Sequence, residues 1–88
     1  MTTAKQATFK AQIHEFIQEN LASVKGIESF NDSDSLMESG VIDSLGIFRL
    51  VAFLEETYGV RIADEEINPE NLKSVDAIEQ LVVQKKAR

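Results

Sequence analysis

Apolar residues recur at spacings of three and four along the first third of the chain: Phe9, Ile13, Phe16, Ile17 and Leu21, with Val24 extending the series. Such positions share one face of a helix, and Lys10, Gln12, Glu15, Gln18 and Glu19 fall on the other side. Gly26 supplies a stop, so the pattern predicts a helix from about residue 4 to about residue 24. A second run carries two stripes. Ile47, Leu50, Val51, Leu54 and Tyr58 form one continuous series, and Leu45, Phe48 and Ala52 form another, offset from it. The predicted helix spans Ser44 to Tyr58 and ends at Gly59, a natural C′ residue. A surface helix in a small protein should be polar on its outer side. The second stripe is therefore either wrapped by the rest of the chain or left for something that docks on it.

Residues 25–43 break the periodicity with Ser, Asp, Asn and Gly. So long a connection needs apolar anchors to be ordered, and Phe30, Leu36 and Ile42 are the candidates. Gly40, just before the turn into the second helix, suits a positive φ. Beyond Gly59, Val60-Arg61-Ile62 reads as an extended link, and Asp64-Glu65-Glu66 as a brief helical turn with acidic residues at its favourable end. Pro69 restricts Asn68 and is expected to close that turn. Ser74 caps a last helix whose core face is Val75, Ile78, Leu81 and Val82, with Lys85, Lys86 and Arg88 at its C-terminal end. No segment reads as a strand. The expectation is an all-α fold, a small four-helix bundle of three main helices and one short one with a long first loop, as a single domain over residues 1–88.

Composition narrows the function. Eighty-eight residues build one modest core. The absence of cysteine excludes disulfides and thiolate metal sites and permits a reducing compartment. No apolar stretch is long enough to span a bilayer, and the N-terminus lacks the apolar centre of a signal peptide, so a cytoplasmic protein is expected. A net charge of −6 argues against nucleic acid and favours basic protein partners.

Chemistry-bearing residues are few. His14, the only histidine, lies among polar residues on the first helix, reads as solvated, and is distant in sequence from any nucleophile. A hydrolytic triad would need such a base. Asp32-Ser33-Asp34 invites a calcium-loop reading, but Met37 would stand where that loop needs glycine and Asp43 where it needs glutamate. What remains is Asp43-Ser44-Leu45. It places a serine hydroxyl at a helix N-terminus, beside unpaired N–H groups and the positive end of the helix dipole, where a phosphate is well accommodated. On these three residues alone a simple helix cap is the favoured reading, since both Asp and Ser cap helices well.

The longer pattern decides between them. Gly40-Val41-Ile42-Asp43-Ser44-Leu45, then Leu54-Glu55-Glu56-Thr57-Tyr58-Gly59-Val60-Arg61-Ile62, Asp64-Glu65-Glu66 and Ser74-Val75-Asp76-Ala77-Ile78 together resemble the acyl carrier protein family over nearly the whole chain. The resemblance implies a carrier, not an enzyme. Ser44, flanked by Asp43 and Leu45, would receive 4′-phosphopantetheine from coenzyme A through a phosphopantetheinyl transferase. The thiol of that arm would hold acyl or aminoacyl groups as thioesters. An activating ligase would load them, and downstream transferases or synthases would receive them. By position, partners would meet Leu45, Ala52, Glu55, Glu56 and Ile62, and the carrier would work as a monomer. Gly46 and Arg49 stand where fatty-acid-synthesis members usually carry acidic residues, and the bulk of Phe48, Phe53 and Tyr58 would narrow an interior acyl cavity. Those departures are similar to freestanding peptidyl, aminoacyl or D-alanyl carriers of specialised pathways. The alternative from another class is an arm-less binding module of the same fold, acting through its second helix.

Overall fold

In the computed structural model, which describes residues 8–86, the first helix α1 runs Thr8–Ile17. It continues without a break through a π-helical turn, Gln18–Ala22, and a 3-10 turn, Ser23–Lys25. The predicted start near residue 4 lies outside the described residues. The widening has a local signature: the Ser23 N–H donates to the Gln18 carbonyl five residues back. Gly26, at φ 77°, then ends the helix in a Schellman pattern, with Gly26 N–H on Ser23 O and Ile27 N–H on Ala22 O. This altered register turns Val24 outward, so it does not join the core stripe and is 75% exposed.

The second helix α2 spans Ser44–Tyr58, as the two-stripe pattern predicts, and closes at Gly59 with φ 67° and its N–H on Glu55 O. The link then makes a 3-10 turn at Asp64–Glu66. Pro69 does not merely close that turn: it opens a four-residue helix α3, Pro69–Leu72, with Asn68 as N-cap accepting from the Asn71 N–H. Proline at a first helical position loses nothing by lacking an N–H. The last helix α4 covers Val75–Lys86, and Ser74 Oγ accepts the Ala77 N–H at its start. Among the described residues there is no strand, and the architecture is an acyl-carrier-like helical bundle.

The core joins α1 to α4 and lays α2 across them. Ile13, Ile17, Leu36, Leu50, Leu54, Ile78, Val41, Val75 and Val82 are its fully enclosed side chains. Phe30, Leu36 and Ile42 anchor the long loop as predicted, and Val41 is buried with them. Backbone bonds complete the attachment: Leu36 N–H donates to Lys73 O, Asp76 N–H to Asp32 O, and Ile42 N–H to Leu36 O. Gly40 adopts the expected positive φ, 84°. The loop, held to Lys73 and to the start of α4, therefore delivers Asp43 to the head of α2.

His14 departs from its sequence reading. It is half-buried rather than solvated: its Nδ1 lies 2.6 Å from Asp32 Oδ1 and its ring stacks on Phe30 at 4.1 Å. The residue that supplied no catalytic base clamps the long loop to α1.

Candidate functional site

The site begins with a cap. Asp43 sits in extended backbone before α2 and its Oδ1 accepts the Gly46 N–H at 2.8 Å. Its other oxygen pairs with Lys25 Nζ, also at 2.8 Å, tying the end of the first helical run to the start of α2. With Asp43 occupying the capping role, the adjacent Ser44 is the first residue of α2 and is exposed. Among the described residues no hydrogen bond engages its hydroxyl or the N–H groups of Ser44 and Leu45. Ser35, Ser39 and Ser74 each use their hydroxyl within the loop or at the α4 cap, and Ser23 donates to Glu19 O. Ser29 and Ser33 are exposed but precede no helix. Ser44 alone combines an unengaged hydroxyl with the head of an α-helix fifteen residues long.

The Lys25 ammonium, and after it the Gly46 N–H, hold the Asp43 carboxyl below the ordinary value of 3.8. A depressed carboxyl contributes stability at pH above the ordinary value, and loses it as pH falls through the lowered folded value. Lys25→Met should therefore raise the Asp43 titration midpoint toward 3.8, read by NMR of its side-chain carboxyl carbon. An unmoved midpoint would mean that the helix cap alone sets the shift.

The flank of the site departs from the sequence expectation in three places. Leu45 is 75% exposed, and Ala52 and Glu56 are exposed beside it, as a docking surface requires. Ile62 is the correction. At 6% exposure it belongs to the core, because the link after Gly59 turns that side chain inward against the bundle. Glu55 is half-buried, and its Oε2 accepts the Ile62 N–H at 2.9 Å, so it fastens that same link to α2. Phe48 does not narrow the interior, since it is 66% exposed. Phe53 and Tyr58 do pack inward, Phe53 stacked on Phe16 at 4.2 Å and Tyr58 edge-on to Phe9 at 5.0 Å. Tyr58 OH also donates to Gln12 Oε1 at 2.8 Å, and burial, then Glu79, pushes its phenol above the ordinary range.

Gly46 has a packing reason. A Cβ there would stand 3.4 Å from Asp43 Oδ1 and 3.6 Å from Leu21 Cδ2, so a methyl group fits and a longer acidic chain would press on the cap and on the π-helical turn.

A family model described as a phosphopantetheine attachment site matches residues 15–82, from the last turn of α1 to the third turn of α4. The chain belongs to this family. No curated protein matches it. Family members carry covalent 4′-phosphopantetheine and act as carriers rather than catalysts. The residues present fit the group: an exposed serine hydroxyl stands where two unpaired N–H groups and the positive helix end favour a phosphodiester. When bound, the group supplies a thiol for holding cargo as a thioester, chemistry that this cysteine-free chain has no side chain to perform.

Proposed function

We propose that Ser44 is the attachment point of the arm and that the protein carries acyl or aminoacyl groups as thioesters between partner enzymes of a specialised biosynthetic pathway, in the cytoplasm. The observation that carries the assignment to Ser44 is its unengaged hydroxyl at the head of α2, with capping delegated to Asp43. A phosphopantetheinyl transferase installs the arm, a ligase charges it, and transferases or synthases take delivery. Tethering raises the local concentration of cargo at each partner. Incubation with coenzyme A and a broad-specificity transferase, followed by intact mass and fragmentation of the modified peptide, tests the reading. A chain that gains no mass, or gains it on another serine, would refute it.

Partners are proposed to dock on the outer stripe of α2 through Leu45, Ala52 and Glu56. Glu55, engaged by the Ile62 N–H, contributes less to recognition. Exposed charges act mainly on encounter rate and are screened by ions. Glu56→Lys should therefore slow loading by the transferase at low salt, with the difference from wild type shrinking as salt is added. Equal rates at low salt would remove Glu56 from the docking surface.

A further inference from the structure

A groove runs beside the head of α2, between that helix and the end of the first helical run. Its apolar walls are Leu21, Val24, Leu45 and Phe48, and its charged residues are Lys25, Asp43 and Arg49. The chain holds 9 basic residues against 15 acidic ones, so cations are the scarcer charge, yet Lys25 and Arg49 meet at this one groove. Three other cations are engaged elsewhere: Lys10 pairs with Asp76 at 2.8 Å, Lys85 with Glu66 at 2.6 Å, and Lys86 donates to Tyr58 O at 3.0 Å. Arg49 is exposed and has no ion pair among the described residues. Lys25 already holds a carboxylate.

The backbone sets where Lys25 begins. The 3-10 turn Ser23–Lys25 is closed by Gly26, whose N–H donates to Ser23 O. From that turn the Lys25 ammonium reaches Asp43 Oδ2 at 2.8 Å, and its side chain stays 34% exposed. An ammonium has three donors. Among the described residues no second acceptor takes one from Lys25. Asp43 is the chain neighbour of Ser44, so a cation with donors to spare is tied to the residue beside the serine. A phosphodiester on Ser44 would add a negative charge next to the Asp43 carboxylate. Neighbouring anions repel, and a cation already bound to one of them offsets the repulsion by engaging both.

On the reading that Ser44 carries the arm, we propose that Lys25 binds the phosphodiester at the root of that arm and bridges it to the Asp43 carboxylate. Hydrogen bonds from an ammonium to a phosphate oxygen are stronger than those from neutral N–H groups, so Lys25 adds to what the head of α2 offers. A lysine ammonium is a compact charge with rotatable donors, which suits two anions that do not share a plane. Arg49 is the competing cation, but no hydrogen bond among the described residues ties it to Asp43. The anchor acts only at the phosphate. It makes the arm leave α2 on the side of the first helical run, and it leaves the thiol end free to travel.

The test uses the full chain, nitrogen-15-labelled at lysine, before and after the arm is installed from coenzyme A. Intact mass and fragmentation of the modified peptide come first, and a chain that does not load on Ser44 removes the Ser44 reading together with this one. In the loaded wild type the side-chain nitrogen resonance of Lys25 should move from its position in the unloaded protein, while those of Lys10 and Lys73 stay. The phosphorus resonance of the arm should be displaced from its position in the urea-denatured loaded chain. Lys25→Met should keep its circular dichroism, since Asp43 Oδ1 still accepts the Gly46 N–H, and should lose that phosphorus displacement. Arg49→Met should retain it. An unmoved Lys25 resonance, or a phosphorus displacement that survives in Lys25→Met, would overturn the proposal and leave the phosphate to the N–H groups of α2. A displacement lost in Arg49→Met and kept in Lys25→Met would overturn it in favour of Arg49.

Discussion

Leu54→Ala should lower the free energy of unfolding by about 2–5 kcal/mol, while Leu45→Ala changes it by less than about 0.5 kcal/mol. Both are leucines on α2, nine positions apart, and the difference comes wholly from where each side chain ends. Leu54 is fully enclosed in the cluster that joins α1, the loop anchors and α4, so truncation removes buried methyl groups and leaves a cavity. Leu45 is 75% exposed, and truncation leaves the solvent to fill the space. Chemical denaturation of the two variants beside the wild type measures the contrast. A domain of this size has a modest total stability, so Leu54→Ala should be partly unfolded at 37 °C. Rates of loading by partner enzymes should fall in the reverse order once the folded fraction is corrected for. Comparable stability losses for the two variants would mean that Leu45 is packed in solution and is no docking residue.

The contrast was legible in the sequence because α2 is long enough for its period to be read. Fifteen residues hold four turns, so Leu50, Val51, Leu54 and Tyr58 declare a face, and the second stripe stands out as a surplus. The same holds for Asp43 and Gly59, whose residue types are strong end signals. Short or irregular segments carried too little pattern. The four residues of α3 complete one turn, which hides any period, and Pro69 signals both a turn and a helix start. The π-helical turn at Gln18–Ala22 shifts the register of α1 by a fraction of a turn, which explains why Val24 continues the arithmetic series yet points outward. Ile62 illustrates a different limit. In an extended link successive side chains alternate, and which one faces the core depends on the Glu55 anchor, a contact between residues seven apart. The His14–Asp32 clamp spans eighteen positions, beyond the reach of any local pattern.

The site was more legible than the surface around it. The serine motif and the loop that leads to it pointed to Ser44 and to the family, whereas the groove beside that serine is assembled from two elements far apart in sequence. Leu21 and Val24 come from the end of the first helical run, and Leu45 and Phe48 from the first turns of α2. Lys25 joins these elements through Asp43, so the residue that caps the helix also ties the two walls together. Sequence reading found the apolar end of the first helical run and the outer stripe of α2 separately. Only their packing against each other makes a concavity.

Ser44→Ala should abolish arm attachment completely and leave the fold unchanged. The two halves of this expectation come from one arrangement. Capping belongs to Asp43, whose carboxylate takes the Gly46 N–H, and the Ser44 hydroxyl has no hydrogen bond among the described residues to lose. Alanine is also the better helix former, so any change in helix stability should be small and favourable. Circular dichroism and thermal unfolding of the variant should therefore overlay those of the wild type or rise slightly. Mass spectrometry after the transferase reaction should show no added arm. The combination excludes the trivial explanation that an unloaded variant is an unfolded one. Among the remaining serines, Ser23, Ser35, Ser39 and Ser74 are committed to the backbone, and Ser29 and Ser33 lack a helix N-terminus to receive the phosphodiester. An arm found on the variant would place the attachment at one of those two loop residues. A variant that failed both to load and to fold would show that the hydroxyl has a structural duty at the head of α2.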